Sequence, residues 1–112
     1  MSLSDFLSPI SSDQFENSNY SPYQLGLTTE KYIKNFPLPG EFDIAIIGIE
    51  DDRNAINNGG CKNGPDKFRQ KFYSLYPGNY STKIVDLGNI KKGETSKDTY
   101  IAIQTIITHL IH

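Results

Sequence analysis

Phe42-Asp43-Ile44-Ala45-Ile46-Ile47-Gly48-Ile49 is the stretch that decides how the rest of the chain is read. It is a nearly unbroken apolar run rich in β-branched side chains, which crowd a helix and fit a pleated strand. Continuous rather than alternating apolarity marks a strand buried on both faces, the habit of parallel sheets covered by helices. Just before it lies Phe36-Pro37-Leu38-Pro39-Gly40, where two prolines forbid helix continuation and Gly permits a turn.

Working downstream, a polar segment from Glu50 to Asn63 contains Gly59-Gly60. Gly64-Pro65 then starts a helix, with Pro at a first position where its missing N–H costs nothing. Phe68, Phe72, Leu75 and Tyr76 recur at i, i+4, i+7 and i+8 and predict one apolar face, stopped by Pro77-Gly78-Asn79. Lys83-Ile84-Val85-Asp86-Leu87-Gly88 reads as a second strand. Thr95 and Asp98 fit a capping-box-like spacing for a last helix. Its apolar side carries Tyr100, Ile103, Ile106, Ile107, Leu110 and Ile111.

Strand, helix, strand, helix in that order predicts an α/β fold: a parallel-sheet βαβα unit over residues 41–112, part of a three-layer αβα architecture. Upstream, residues 1–40 are rich in Ser, Asn, Pro and Tyr without a sustained period, and read as an irregular amino-terminal arm. Ser8 to Ser21 offers few core-building groups, and Thr29 to Lys34 is the one place for a short helix. Such an arm wraps another surface or stays mobile. Two strands do not make a stable parallel sheet covered on both faces. The expectation is therefore an amino-terminal piece of a larger enzyme fold, completed by the remainder of its own chain or by a homo-oligomeric partner.

Composition narrows the function. The chain has 112 residues, one small domain's worth, with 37% hydrophobic residues and a mean hydropathy of -0.47. Eleven basic and 13 acidic residues are spread along it for a net charge of -2, with no basic stripe, which argues against a nucleic-acid partner. Cys61 is the single cysteine, so no internal disulfide forms. No apolar run is long enough for a membrane span and no positive leader opens the chain, which predicts a cytoplasmic protein without a membrane partner.

Several residues invite a chemical reading. Glu50-Asp51-Asp52-Arg53 follows the first strand, where open α/β sheets bind ligands beyond strand carboxyl ends. Paired carboxylates there suit a divalent cation, against the commoner reading of a solvated loop braced by an Asp–Arg pair. Asn58, Gly59, Gly60, Lys62 and Asn63 lie in a Gly-containing loop before the helix and complete the list of cleft-lining candidates. That loop has the position of a phosphate cradle, but neither nucleotide-loop fingerprint occurs and the nearby acids repel phosphate. Lys62 beside Cys61 would lower a thiol pKa, yet His109 and His112 sit far away at the chain's end. The i, i+3 spacing of those histidines suits a metal pair, but no third ligand accompanies them. Asn79-Tyr80-Ser81 is a glycosylation sequon that means nothing without a leader. Asp86 either reaches the same cleft edge or bonds nearby backbone. No residue of the chain is assigned a catalytic or metal-ligating role.

Four stretches taken in order resemble the start of the ureohydrolase family, which includes arginase, agmatinase and formimidoylglutamase. They are Phe42 to Ile49, then Gly59-Gly60, then Asn63-Gly64-Pro65-Asp66-Lys67-Phe68-Arg69, then Val85-Asp86-Leu87-Gly88-Asn89-Ile90. The family's next strand is commonly V-D-L-G-D-V, so Asn89 stands where an acid is frequent. Glu50-Asp51-Asp52-Arg53 and Asn79 lean slightly toward formimidoylglutamase. The resemblance covers 42–112 and implies an arginase-like three-layer αβα fold. It also implies two manganese ions in the full-length parent, activating a bridging hydroxide against the carbon of a small guanidino or formimino substrate. The family's ligand motifs, of G-G-D-H, D-A-H-x-D and S-x-D-x-D type, do not occur in this sequence. The resemblance thus implies a fragment inactive by itself. A stand-alone interaction or oligomerisation domain without catalysis is the alternative.

Overall fold

The computed structural model of the chain describes residues 3–37, 42–50, 64–77, 82–91 and 96–111. Along them run β1 (Leu7–Ser8), α1 (Ser12–Phe15), α2 (Leu25–Thr28), β2 (Glu30–Lys31), β3 (Ile44–Ile49), α3 (Gly64–Phe72), β4 (Ile84–Ile90) and α4 (Ser96–Leu110). Short 3-10 turns occupy Leu3–Phe6 and Asn17–Asn19. The fold is mixed α/β, built on one four-stranded sheet.

β4 is the centre of that sheet. One of its edges pairs in parallel with β3, from Ile44 opposite Ile84 to Ile49 opposite Ile90. Its other edge is shared: β2 runs parallel beside Val85 and Asp86, and β1 runs antiparallel beside Asn89 and Ile90. The sheet is therefore mixed rather than purely parallel, and two of its strands come from the amino-terminal arm. All residues of β4 are buried, as a strand with neighbours on both edges and cover on both faces should be. β3 was the strand expected to be buried on both sides. Only its Gly48 is, while Ile44 and Ile49 stay 48% and 47% exposed, because β3 has a neighbour on one edge among the described residues.

Alternation along β4 feeds two cores. Val85, Leu87 and Ile90 pack with Leu3, Leu7 and Ile106 on the α4 side. Ile84 packs on the other side with Ile10, Phe15, Leu25 and Tyr73. Helices thus lie on both faces of the sheet. The arm supplies Leu7, Ile10, Phe15 and Leu25, at roughly 2 kcal/mol of burial each. The segment expected to carry few core groups therefore seats two of them, Ile10 and Phe15. The helix expected near Thr29 to Lys34 is instead β2 followed by a bend, since Glu30 and Lys31 gain ladder partners on β4.

Helices α3 and α4 also turn differently from the periodic reading. Phe68, Leu75 and Tyr76 are exposed, while Arg69 of α3 and Tyr73 in the turn just after it are buried, with Phe72 half-buried beside them. On α4, Ile106 is buried and Ile103 and Leu110 are partly covered, while Tyr100, Ile101, Ile107 and Ile111 remain exposed. No helix among the described residues is long and apolar enough to cross a membrane.

Candidate functional site

A bulge in β4 builds a buried polar cluster among the described residues. Ile46 lies opposite Asp86 and Gly48 opposite Asn89, so two steps on β3 match three on β4. The extra residue falls at Leu87-Gly88, and Gly88 takes φ 86 there, a left-handed conformation that glycine adopts without steric cost. A regular strand would send Asp86 and Asn89 to opposite faces. The bulge returns both to the α3 face, where Arg69 waits.

Arg69 is 0% exposed. Its Nε donates to Asp86 Oδ2 at 2.7 Å and its Nη2 to Asp86 Oδ1 at 3.0 Å, a two-pronged ion pair. Nη2 also donates to the Gly88 carbonyl at 3.0 Å, and Nη1 to Asn89 Oδ1 at 2.7 Å and Asp66 Oδ1 at 3.4 Å. Five hydrogen bonds match the five N–H donors of a guanidinium. Asp86 is equally engaged, accepting the Tyr73 hydroxyl proton and the Gly88 N–H at 3.0 Å. Burial opposes the Arg69 charge, but the bonds to Asp86 and its negative charge outweigh it and hold the pKa above its ordinary value. Burial first, then the Asp86 charge, push the Tyr73 hydroxyl well above the ordinary tyrosine value. Every donor of Arg69 is committed, so it holds α3 against β4 and has none left for a substrate carboxylate.

Beside this clamp an open groove of about 450 Å³ runs between β3 and α3. Ile46, Ile47, Ile49, Pro65 and Phe68 make it apolar, and Arg69 closes its floor. Gly48 is required there for close approach: a Cβ would stand 1.9 Å from Asn89 Oδ1 and 2.8 Å from Pro65 Cβ.

Of the cleft candidates, Glu50 follows β3 directly and is half-buried. Asp51, Asp52, Arg53, Asn58, Gly59, Gly60, Lys62 and Asn63 lie outside the described residues, as do Cys61, the Asn79-Tyr80-Ser81 sequon, Thr95 of the capping box and His112. His109 is exposed in the last turn of α4. Asp86 does not edge a cleft but is buried against Arg69. Among the described residues no three or more His, Cys, Asp or Glu side chains converge as metal ligands. The pair of manganese ions implied by the resemblance therefore has no fitting donor set in them.

Apolar periodicity singles out Phe68 and Phe72 and passes over Arg69 and Tyr73, the two residues that brace the helix against β4. Their i, i+4 spacing, with Asp86 on the facing strand, was the available signal. No family model matches the chain, and neither a curated protein nor a solved structure does so.

Proposed function

We propose that the chain is the framework-building amino-terminal part of a ureohydrolase-like, metal-dependent hydrolase of non-peptide C–N bonds, arginase-like or formimidoylglutamase-like, and inactive by itself. One observation carries the reading. Two stretches on which the resemblance rests, Asn63 to Arg69 and Val85 to Ile90, are separate in sequence and meet through the Arg69 clamp. Residues with a shared structural task in this chain are thus the ones that resemble the family. The β3–β4 ladder brings the carboxyl ends of the two strands side by side, the region where α/β enzymes place substrates, and the clamp packs α3 against β4 there. The metal ligands would come from chain beyond these residues.

The test is hydrolysis by the product of the complete reading frame that holds this chain. With manganese, it should release urea from arginine or agmatine, or formamide from formiminoglutamate, and lose that activity in a chelator. The 112-residue chain alone should release neither. Absence of hydrolysis on all three substrates by the manganese-loaded product would sink the proposal.

A second reading, an interaction or oligomerisation domain, is favoured by the large apolar side chains left uncovered on β3 and α4, among them Ile44, Ile49, Ile101 and Ile107. Light scattering separates the two: a defined oligomer that unfolds cooperatively supports the domain, and a loosely packed monomer supports the framework part.

A further inference from the structure

A second hollow, of about 410 Å³, opens where the Glu16–Ser18 turn of the arm meets β2. We propose that Lys31, in its wall, is an acylation site whose amine takes an acyl group from a small acyl thioester. Lys31 lies opposite Asp86 in the ladder, so its side chain shares the sheet face of the Arg69 clamp. It is half-buried, with the rings of Tyr20 and Tyr73 lying 5.0 and 5.3 Å from its Nζ. Nζ donates to the Phe15 carbonyl at 3.1 Å and to Asn17 Oδ1 at 2.8 Å. Two acceptors are as many as a neutral amine can serve, which leaves its lone pair for an electrophile. Burial lowers the Lys31 pKa to about 8, with the Asp86 charge opposing. About a quarter of the amine is therefore neutral near pH 7.5, against roughly one part in a thousand of an exposed lysine.

Thr29 selects the chemistry. It lines the same hollow, is 4% exposed, and its Oγ1 has no hydrogen-bond partner among the described residues. Thr29 and Lys31 are two residues apart in extended backbone, so their side chains leave the chain on the same face. A buried hydroxyl without an acceptor is unfavourable. An acylated Lys31 brings a carbonyl oxygen to that face, whereas an imine formed from an aldehyde brings no oxygen at all. In the step itself the Lys31 lone pair forms the N–C bond to the acyl carbon. The C–S bond breaks with its electron pair on sulfur, and the proton shed by nitrogen passes to the thiolate. The product amide keeps one N–H for the arm and gives up the positive charge. This site is independent of the ureohydrolase reading.

The experiment treats the chain with the acetyl thioester of N-acetylcysteamine and follows each lysine by peptide mass mapping. Near pH 7.5, Lys31 should acetylate about tenfold faster than the exposed Lys34 and Lys67, since lower basicity gives back part of its larger neutral fraction. Its rate should level off above a pH of about 8 while theirs keep rising. Unfolding in urea should erase the preference. Thr29→Val keeps the fold, because the lost hydroxyl has no partner among the described residues. It should slow Lys31 about threefold, the worth of one weak hydrogen bond, and leave Lys34 unchanged. Lys31 reacting no faster than Lys34 and Lys67, or a preference that survives unfolding, would overturn the site. An unchanged Lys31 rate in Thr29→Val would do the same.

Discussion

Asp86→Ala is the perturbation that most directly loads the Arg69 clamp. It strips Arg69 of two acceptors and leaves its charge fully buried, and it takes the acceptor from the Tyr73 hydroxyl. Breaking a buried ion pair from one side costs about 3–5 kcal/mol, and an orphaned buried hydroxyl adds about 1–3 kcal/mol. The two losses share one partner and do not fully add, so about 5 kcal/mol is expected. That is a large part of the roughly 5–15 kcal/mol that holds a small domain together. With a urea slope of about 1.5 kcal/mol per molar, the unfolding midpoint should fall by about 3 M. The chain lacks Trp, so far-UV circular dichroism is the readout. Arg69→Met/Asp86→Leu, which removes both charges, should cost clearly less than Asp86→Ala alone. A loss under about 1 kcal/mol for Asp86→Ala would mean that Arg69 reaches water, and the clamp argument would fail.

Other outcomes follow from single contacts. Gly88→Ala combines a positive φ with a Cβ 2.1 Å from the Ser8 carbonyl oxygen; it should lose about 2–3 kcal/mol in the same melts and release β1, seen as faster exchange of the Leu7 and Ser8 amides. Phe68→Ala should cost less than about 1 kcal/mol, whereas Tyr73→Ala should cost about 3–5 kcal/mol, which checks which face of α3 is buried. Lys31 titrates near 8 in the fold and at 10.5 when exposed. Between those values the unfolded chain holds the extra proton, so stability should rise with pH above about 8, and Lys31→Met should flatten that rise. The comparison belongs below pH 10.0, where unfolded tyrosines begin to ionise while Tyr20 and Tyr73 are held neutral by burial.

How much of this was legible in the sequence depends on what kind of signal each residue carries. The β3, α3, β4, α4 order follows from apolar runs and Gly/Pro punctuation, and those local signals survive without tertiary context. Which strand is central does not follow, because β3 is the more continuously apolar run whereas β4 carries Asp86 and Asn89, and centrality depends on who pairs with each edge. The edge partners of β4 are the two-residue strands β1 and β2, too short to show any period. The α3 face was misjudged for a related reason: an apolar count ranks Phe68 above Arg69, although a guanidinium with five partners is the better-buried group. Asn89 was visible as a departure from the family pattern, but its task depended on the bulge at Gly88. Lys31 gave no sequence signal at all, since its contacts with the Phe15 carbonyl, Asn17 and the Tyr20 and Tyr73 rings arise only when the arm packs on α3 and β4.

The measurement that tests the central claim most directly is the sequence of the reading frame past the codon for His112. The account predicts further strands carrying clustered His and Asp at metal-ligand spacing, after which manganese-dependent hydrolysis becomes the decisive assay. A stop codon immediately after His112 would contradict it and leave the interaction-domain reading in its place.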